Sequence, residues 1–333
     1  MTRKSNGTAT LVVYVVLVAL AIAGPFFLYP QFLMRALCLA LFASAFNLLL
    51  GYVGLLSFGH AAFFGFAAYV TGHLAKVGTV YLPYPWYPRL GWWEIPLPPL
   101  PPELAILSGA FAAALLGLAV GGLAIRRQGI YFAMVTLALA QMLYFFCLQA
   151  PFTHGEDGIQ GVPRGALFGL IPLDAPLVMY YFVLAVFLFG FLVIYRTIHS
   201  PFGQVLKAIR ENEARAVSLG YKVERFKLAA FVMSATLAGL AGGTKAIAVQ
   251  LASLTDVQWQ MSGEVVLMTL LGGMGTIFGP IVGAVLVIVL QNFLAGSQWP
   301  VTVVLGAIFV VCVLLFRRGI VGELARIFRL KGV

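Results

Sequence analysis

The sequence predicts an all-α polytopic membrane protein of about ten transmembrane helices, some of them broken by glycine, on three observations. Of 333 residues, 62% are hydrophobic and only 10% charged. With a mean hydropathy of +0.99, the chain carries more apolar surface than a soluble core can hide. The apolar residues fall in runs close to the roughly 20 that cross about 30 Å of hydrocarbon as a helix. The basic residues collect in alternate loops, as in a chain threaded through a bilayer.

The runs lie near 9–29, 31–50, 59–77, 104–125, 130–150, 177–195, 228–250, 260–275, 277–295 and 299–316. The first follows Arg3 and Lys4 and contains Ala19-Leu20-Ala21 and Ala21-Ile22-Ala23, which mimic a secretory signal. Its apolar run continues to Tyr29, so it reads as an uncleaved span. The run 260–275 is the weakest, interrupted by Gly272, Gly273 and Gly275.

Charge settles the preferred topology. With a cytoplasmic N-terminus, the inner loops hold Arg3, Lys4, Arg126, Arg127, the seven Lys and Arg of 196–227, and Arg317, Arg318, Arg326, Arg329 and Lys331. That is 16 of 21, against Lys76, Arg89 and Arg164 outside, with Arg35 and Lys245 in or beside spans. Were 260–275 merely re-entrant, the basic C-terminus would move outside, so ten crossings with both termini cytoplasmic are preferred. The net charge of +10 therefore reports orientation, and no nucleic-acid partner is expected. The whole chain, 1–333, reads as one membrane domain with a cytoplasmic loop at 196–227 and a basic tail at 317–333. Cys38, Cys147 and Cys312 lie in apolar spans without metal-ligand spacing and are expected to be buried thiols.

Two outer loops stand out. Residues 78–103 read GTVYLPYPWYPRLGWWEIPLPPLPPE, and their prolines forbid a helix or a central strand. Tyr81, Tyr84, Trp86, Tyr87, Trp92 and Trp93 suit either a belt at the headgroups or a carbohydrate site. In the loop 152–161, Glu156 and Asp157 are candidates for docking an external binding protein, or they shape a glycine-rich turn.

An internal echo marks the candidate path. Leu49-Leu50-Gly51-Tyr52-Val53-Gly54 precedes Phe58-Gly59, and Leu270-Leu271-Gly272-Gly273-Met274-Gly275 precedes Phe278-Gly279. Glycine-interrupted segments at corresponding places in two halves expose backbone groups along the path of transporters built from repeats. Gly51, Gly54, Ser57, His60, Gly272, Gly273 and Gly275 are the path candidates, in a parallel rather than inverted relationship. The topology sets these breaks towards the cytoplasmic face, whereas a substrate site is expected nearer the midplane.

The loop 196–227 holds seven basic residues and three Glu. Ser200 is a suitable N-cap, Pro201 suits the first helical position, and Gly220 can close the helix in a left-handed conformation, predicting a helix over 200–219. Phe202, Val205, Leu206 and Ile209 form an apolar stripe, and Glu211 precedes Arg215 at the i,i+4 spacing. Such a helix lies on anionic membrane lipid or is gripped by a partner protein.

Glu213-Ala214-Arg215, with Gly220 seven residues after the Glu, resembles the EAA loop of ABC importer permeases. The segments NLLLGYVGLLSFGHAAFFGFAAYV from Asn47, TLALAQMLYF from Thr136 and LLGGMGTIFGPIVGA from Leu271 resemble the LivM-type permeases of branched-chain amino acid importers, over nearly the full length. Arg215 departs from the pattern, standing where a second Ala is common. The resemblance implies ATPase coupling through Ile209, Arg210, Glu213, Ala214, Arg215 and Gly220. It also implies a second homologous permease, two ATPase subunits carrying ATP and Mg, and a periplasmic binding protein, in a bacterial inner membrane.

Few groups offer chemistry of their own. His60 lines a path or makes a structural hydrogen bond, Lys245 extends towards the outer interface, and Glu264 sits at the outer rim rather than carrying protons. Gly239-Leu240-Ala241-Gly242-Gly243-Thr244-Lys245 lacks the Gly-Lys-Ser/Thr order of a phosphate loop, so energy must come from another chain. No intramembrane cluster supplies a metal or acid-base catalyst, and the chain is not expected to be an enzyme. A urea or short-amide permease would share this sequence pattern. An ion-coupled carrier fits the scarcity of intramembrane acids poorly.

Overall fold

The computed structural model describes residues 19, 21–78, 80–83, 92–95, 98–296, 303–304, 306–308, 310–311 and 319–327. Most of the first and last predicted spans lies outside the described residues. So do Arg3, Lys4, Tyr84, Trp86, Tyr87, Arg89, Cys312, Arg317, Arg318, Arg329 and Lys331.

Helices dominate: α1 (Pro30–Tyr52), α2 (His60–Lys76), α3 (Pro102–Ala124), α4 (Ile130–Gln149), α5 (Pro176–His199), α6 (Pro201–Glu211), α7 (Glu213–Ser218), α8 (Val223–Val249), α9 (Trp259–Gly272), α10 (Gly279–Leu294) and α11 (Gly319–Ile327). Pro30, Pro102, Pro176 and Pro201 open their helices, where the missing N–H would be unpaired in any case. Eight of the ten predicted spans coincide with helices. Five of these, α1, α3, α4, α5 and α8, are long and apolar enough to cross a membrane. The three shorter ones, α2, α9 and α10, have 17, 14 and 16 residues. Fourteen residues rise only about 21 Å. Each of the three abuts a glycine break, so the described residues hold five full-length apolar helices and three shorter ones at eight of the ten predicted spans.

Contacts group the chain into two compact units, both discontinuous in sequence. The first comprises Met1–Leu56, Tyr180–Ala230 and Gly263–Val333. Its axis is α1, which is buried at every position from Cys38 to Tyr52. A helix apolar all round belongs in an interior, and this one has α10 beside it. Helices α9 and α10 approach backbone to backbone, since a Cβ on Gly283 would stand 2.9 Å from the Gly272 nitrogen. Gly319, opening α11, meets Gly273, so α11 starts at the end of the unit that holds the second glycine break.

The second unit comprises Ser57–Met179 and Phe231–Ser262. Small residues bring α2, α3 and the later part of α8 together: a Cβ on Gly109 would stand 2.7 Å from the Ala67 carbonyl, and one on Gly117 would stand 2.6 Å from Ala235 Cβ. Close approach of this kind replaces the hydrophobic drive that helices lack in lipid. It also accounts for the glycines of 239–243, which face Ala113, Phe64 and Thr71. Cys147 is buried here, as Cys38 is in the first unit.

The strands are short. In the proline-rich loop β1 (Val80–Pro83) pairs antiparallel with β2 (Trp92–Ile95), Val80 opposite Ile95. A two-stranded ribbon has only edges, so proline is tolerated where a central strand would exclude it. Strand β3 (Ile159–Gln160) pairs with β6 (Leu251–Ala252), and β4 (Ala166–Leu167) with β5 (Ile171–Pro172).

Candidate functional site

The expected single helix over 200–219 is two helices. Ser200 caps α6 as predicted, its Oγ accepting from the Gly203 N–H at 3.3 Å. Asn212 then leaves the helix at φ −157° and ψ 98°, and its Oδ1 accepts from the Arg215 N–H at 3.0 Å, starting α7. The asparagine side chain offers the backbone a competing partner, which breaks the helix and caps the next one. At the far end Gly220 takes φ +86° and the Tyr221 N–H reaches back to the Ala216 carbonyl, the left-handed closure predicted.

This helix pair folds onto the start of α8. Ile209, Ala216 and Val223 form a small buried cluster with Val205 and Phe226 against it, and the Phe202 and Phe226 rings stack at 5.6 Å. Glu213 is half-buried at the start of α7. Its carboxylate accepts from Lys227 Nζ at 2.7 Å. Exposed around it are Ala214, Arg215, Val217, Leu219 and Tyr221, a mixed basic and apolar surface.

Helix α6 ends against both glycine breaks of the first unit. Arg210 Nη1 donates to the Gly51 carbonyl, and the Arg210 stem lies over Gly54, where a Cβ would stand 3.2 Å from its Cγ. Lys207 Nζ sits 5.6 Å from the centre of the Tyr52 ring. Gly54 and Gly275 adopt φ +82° and +79°, so each echo segment ends its helix in a conformation that glycine makes accessible. The two echoes meet: a Cβ on Gly51 would stand 2.7 Å from the Gly275 nitrogen. Asn47 joins them, donating from Nδ2 to the Thr276 carbonyl at 2.8 Å and accepting the Gly275 N–H at 2.9 Å. Five path candidates, Gly51, Gly54, Gly272, Gly273 and Gly275, thus belong to the first unit, and three of them, Gly51, Gly54 and Gly275, adjoin the predicted coupling residue Arg210.

Ser57 and His60 belong to the second unit. Ser57 Oγ accepts the Gly59 N–H at 3.2 Å, and Ser262 Oγ accepts the Ala61 N–H at 2.9 Å, so two serines satisfy donors at the start of α2. His60 Nε2 lies 2.8 Å from Ser234 Oγ on α8, and its ring meets Phe63 and Phe231 edge to face. It is fully buried, in the arrangement of the structural hydrogen bond.

The reading of Lys245 is corrected. It does not extend to an interface: Nζ pairs with Asp256 Oδ2 at 2.6 Å, with both side chains about nine-tenths buried. A carboxylate on the following turn offers a nearer partner than the headgroups. Asp256 also accepts from Ser253, in a capping box. Arg164, counted as an outer-loop charge, is buried and donates to the carbonyls of Ala248 at the end of α8 and of Asp174. Glu264 is half-buried and accepts from Gln291 at 3.1 Å. Glu156 and Asp157 are exposed, on a turn whose Gly155 and Gly158 have positive φ. Among the described residues no three His, Cys, Asp or Glu side chains converge on a metal-sized space.

Asn47, Asn212, Lys227 and Asp256 escaped the sequence reading. Asn47 carried a signal, a lone amide inside an apolar span, and Asn212 another, a cap residue in front of Glu213.

The family model described as the permease component of the branched-chain amino acid transport system matches residues 28–315. The chain belongs to that permease family. The match takes in both glycine breaks and the helix pair. The permease is 30% identical over 287 residues to each of two proteins described as high-affinity branched-chain amino acid transport system permease protein LivM, from Salmonella typhimurium and Escherichia coli. Each alignment covers 79% of the permease and 63% of the relative's own length. The autoinducer 2 import system permease protein LsrC of Klebsiella pneumoniae is 30% identical over 182 residues, 53% of the permease and 50% of LsrC. No solved structure matches it. Membership and the five full-length apolar helices make the permease an integral membrane protein.

Proposed function

We propose that this chain is a membrane-spanning subunit of an ATP-driven importer for branched-chain amino acids. A second homologous permease, two ATPase subunits holding ATP and Mg, and a periplasmic binding protein complete the assembly. The observation that carries the reading is the capped helix pair α6–α7, which packs its apolar face on α8 and turns Arg215, Val217, Leu219 and Tyr221 outwards. An ATPase seated there would push on α6 and so on the two glycine breaks. The chain holds both termini and loop 196–227 on the cytoplasmic side, following its charge distribution. Glu156 and Asp157, exposed on the loop 152–161, would receive the binding protein from the opposite side.

The substrate class rests on the LivM relatives, whose alignment spans 79% of the chain against 53% for the autoinducer permease. Reconstitution of the whole assembly in proteoliposomes tests the reading. Labelled leucine, isoleucine and valine should enter only with ATP and binding protein present. Replacing Gly220 or Glu213 should separate ATP hydrolysis from uptake or release the ATPase while the permease stays inserted. Uptake driven by a proton or sodium gradient without any ATPase would defeat the reading.

A further inference from the structure

Asn47 spends both ends of its amide on the second glycine break. It sits in the buried stretch of α1, 3% exposed, and holds the Gly275 N–H and the Thr276 carbonyl. One turn along the same helix, the Gly51 carbonyl is held by Arg210 from the last turn of α6. A single side chain of the amphipathic helix therefore grips the end of α1, and a single side chain of α1 grips the segment between α9 and α10. Both grips are on backbone atoms of segments containing positive-φ glycines, where little side-chain packing opposes a rotation of the chain.

The two bonds differ in a useful way. Asn47 is sealed, so its hydrogen bonds are costly to break and transmit displacement rigidly. Arg210 is exposed and borders an open cavity of about 390 Å³ lined by Gly51, Tyr52, Lys207, Glu211 and Gly275. A charge-assisted bond at such a margin can break and re-form in exchange with water. Anchoring alone does not call for it, because Leu206 and Ile209 already bury the apolar face of α6.

We propose that Arg210 and Asn47 are positioning residues of the transport cycle, a clasp through which movement of α6 reaches both glycine breaks together. The proposal rests on the reading of loop 196–227 as the ATPase-coupling loop. It also turns Arg210 inwards, to the permease's own backbone, rather than outwards to the ATPase.

The test uses the complete assembly in proteoliposomes, measuring uptake, ATP hydrolysis and ATPase retained per permease. Arg210→Met keeps the stem over Gly54 and loses the donor; it should retain the ATPase yet lower amino acid uptake per ATP about tenfold, the factor expected for one charge-assisted hydrogen bond. Arg210→Lys, which restores a donor, should recover uptake per ATP to within about threefold of wild type. Asn47→Ala should reproduce the Arg210→Met loss if it inserts, and the Arg210 variants decide the matter if it does not. Wild-type uptake per ATP in Arg210→Met, or release of the ATPase by that variant, overturns the clasp. A wild-type complex that neither retains an ATPase nor imports with ATP overturns the coupling reading instead.

Discussion

The Glu213 carboxylate stands 2.7 Å from the ammonium of Lys227, near the start of α8, joining the two sides of the 196–227 motif. Lys227 is 6% exposed at its side chain and Glu213 34%. The acid that gives the loop its resemblance to an EAA motif is thus first an internal tether. It ties the start of α7 to the first turns of α8.

Removing that tether should cost stability before it costs contact with any partner. Glu213→Gln should lower unfolding free energy by about 1–2 kcal/mol, between the values for exposed and buried pairs, because one partner is partly solvated. Adding Lys227→Met should return most of the loss. Thermal unfolding of the detergent-solubilised permease reads both, and a Glu213→Gln protein that melts with wild type would show the pair to be incidental.

Gly220 has φ +86° and open space where a Cβ would go, so substitution there is a purely conformational matter. Gly220→Ala should destabilise the loop by about 1 kcal/mol, and Gly220→Asn by less, since Asn visits the left-handed region more readily. Limited proteolysis of the 196–227 loop should rank them wild type, Asn, Ala in increasing cleavage rate. The reverse order would mean that the left-handed closure does not limit the loop.

Lys245 and Asp256 form a buried pair, and breaking one side leaves a charge without a partner. Asp256→Asn should cost about 3–5 kcal/mol, while Lys245→Met combined with Asp256→Asn should recover most of it. Additive losses in the double variant, measured by thermal unfolding, would contradict a direct pair.

Glycines in similar helical settings should differ sharply in tolerance. A Cβ on Gly242 would stand 2.7 Å from the Phe64 carbonyl carbon, whereas one on Gly122 meets nothing within 4 Å. Gly242→Ala should cost about 3 kcal/mol or more as α2 and α8 are forced apart, and Gly122→Ala should be neutral or stabilise by up to about 1 kcal/mol. Folded yield after extraction separates them; equal yields would mean the α2–α8 contact is looser than the structure has it.

Much was legible along the chain because it depends on neighbours in sequence. Apolar run length sets a span, and eight predicted runs are helices. Ser200, Pro201 and Gly220 punctuate the loop through their own hydrogen bonds and dihedral preferences. The two glycine echoes were visible as pattern, and each does end a helix in a positive-φ conformation. Asn212 shows the limit of such reading, since the end signals at Ser200 and Gly220 hid a cap residue between them that split the helix in two.

What folding alone decided is which partner each group found. Asn47 meets Gly275 across 228 residues of sequence, and Arg210 meets Gly51 across 159. Lys245 chose Asp256 over the interface, and His60 chose Ser234. Periodicity and composition state that a polar group in an apolar span needs a partner, but they carry no address for it. The address comes from packing, in which close glycine contacts bring backbone to backbone and leave one donor within reach of one acceptor.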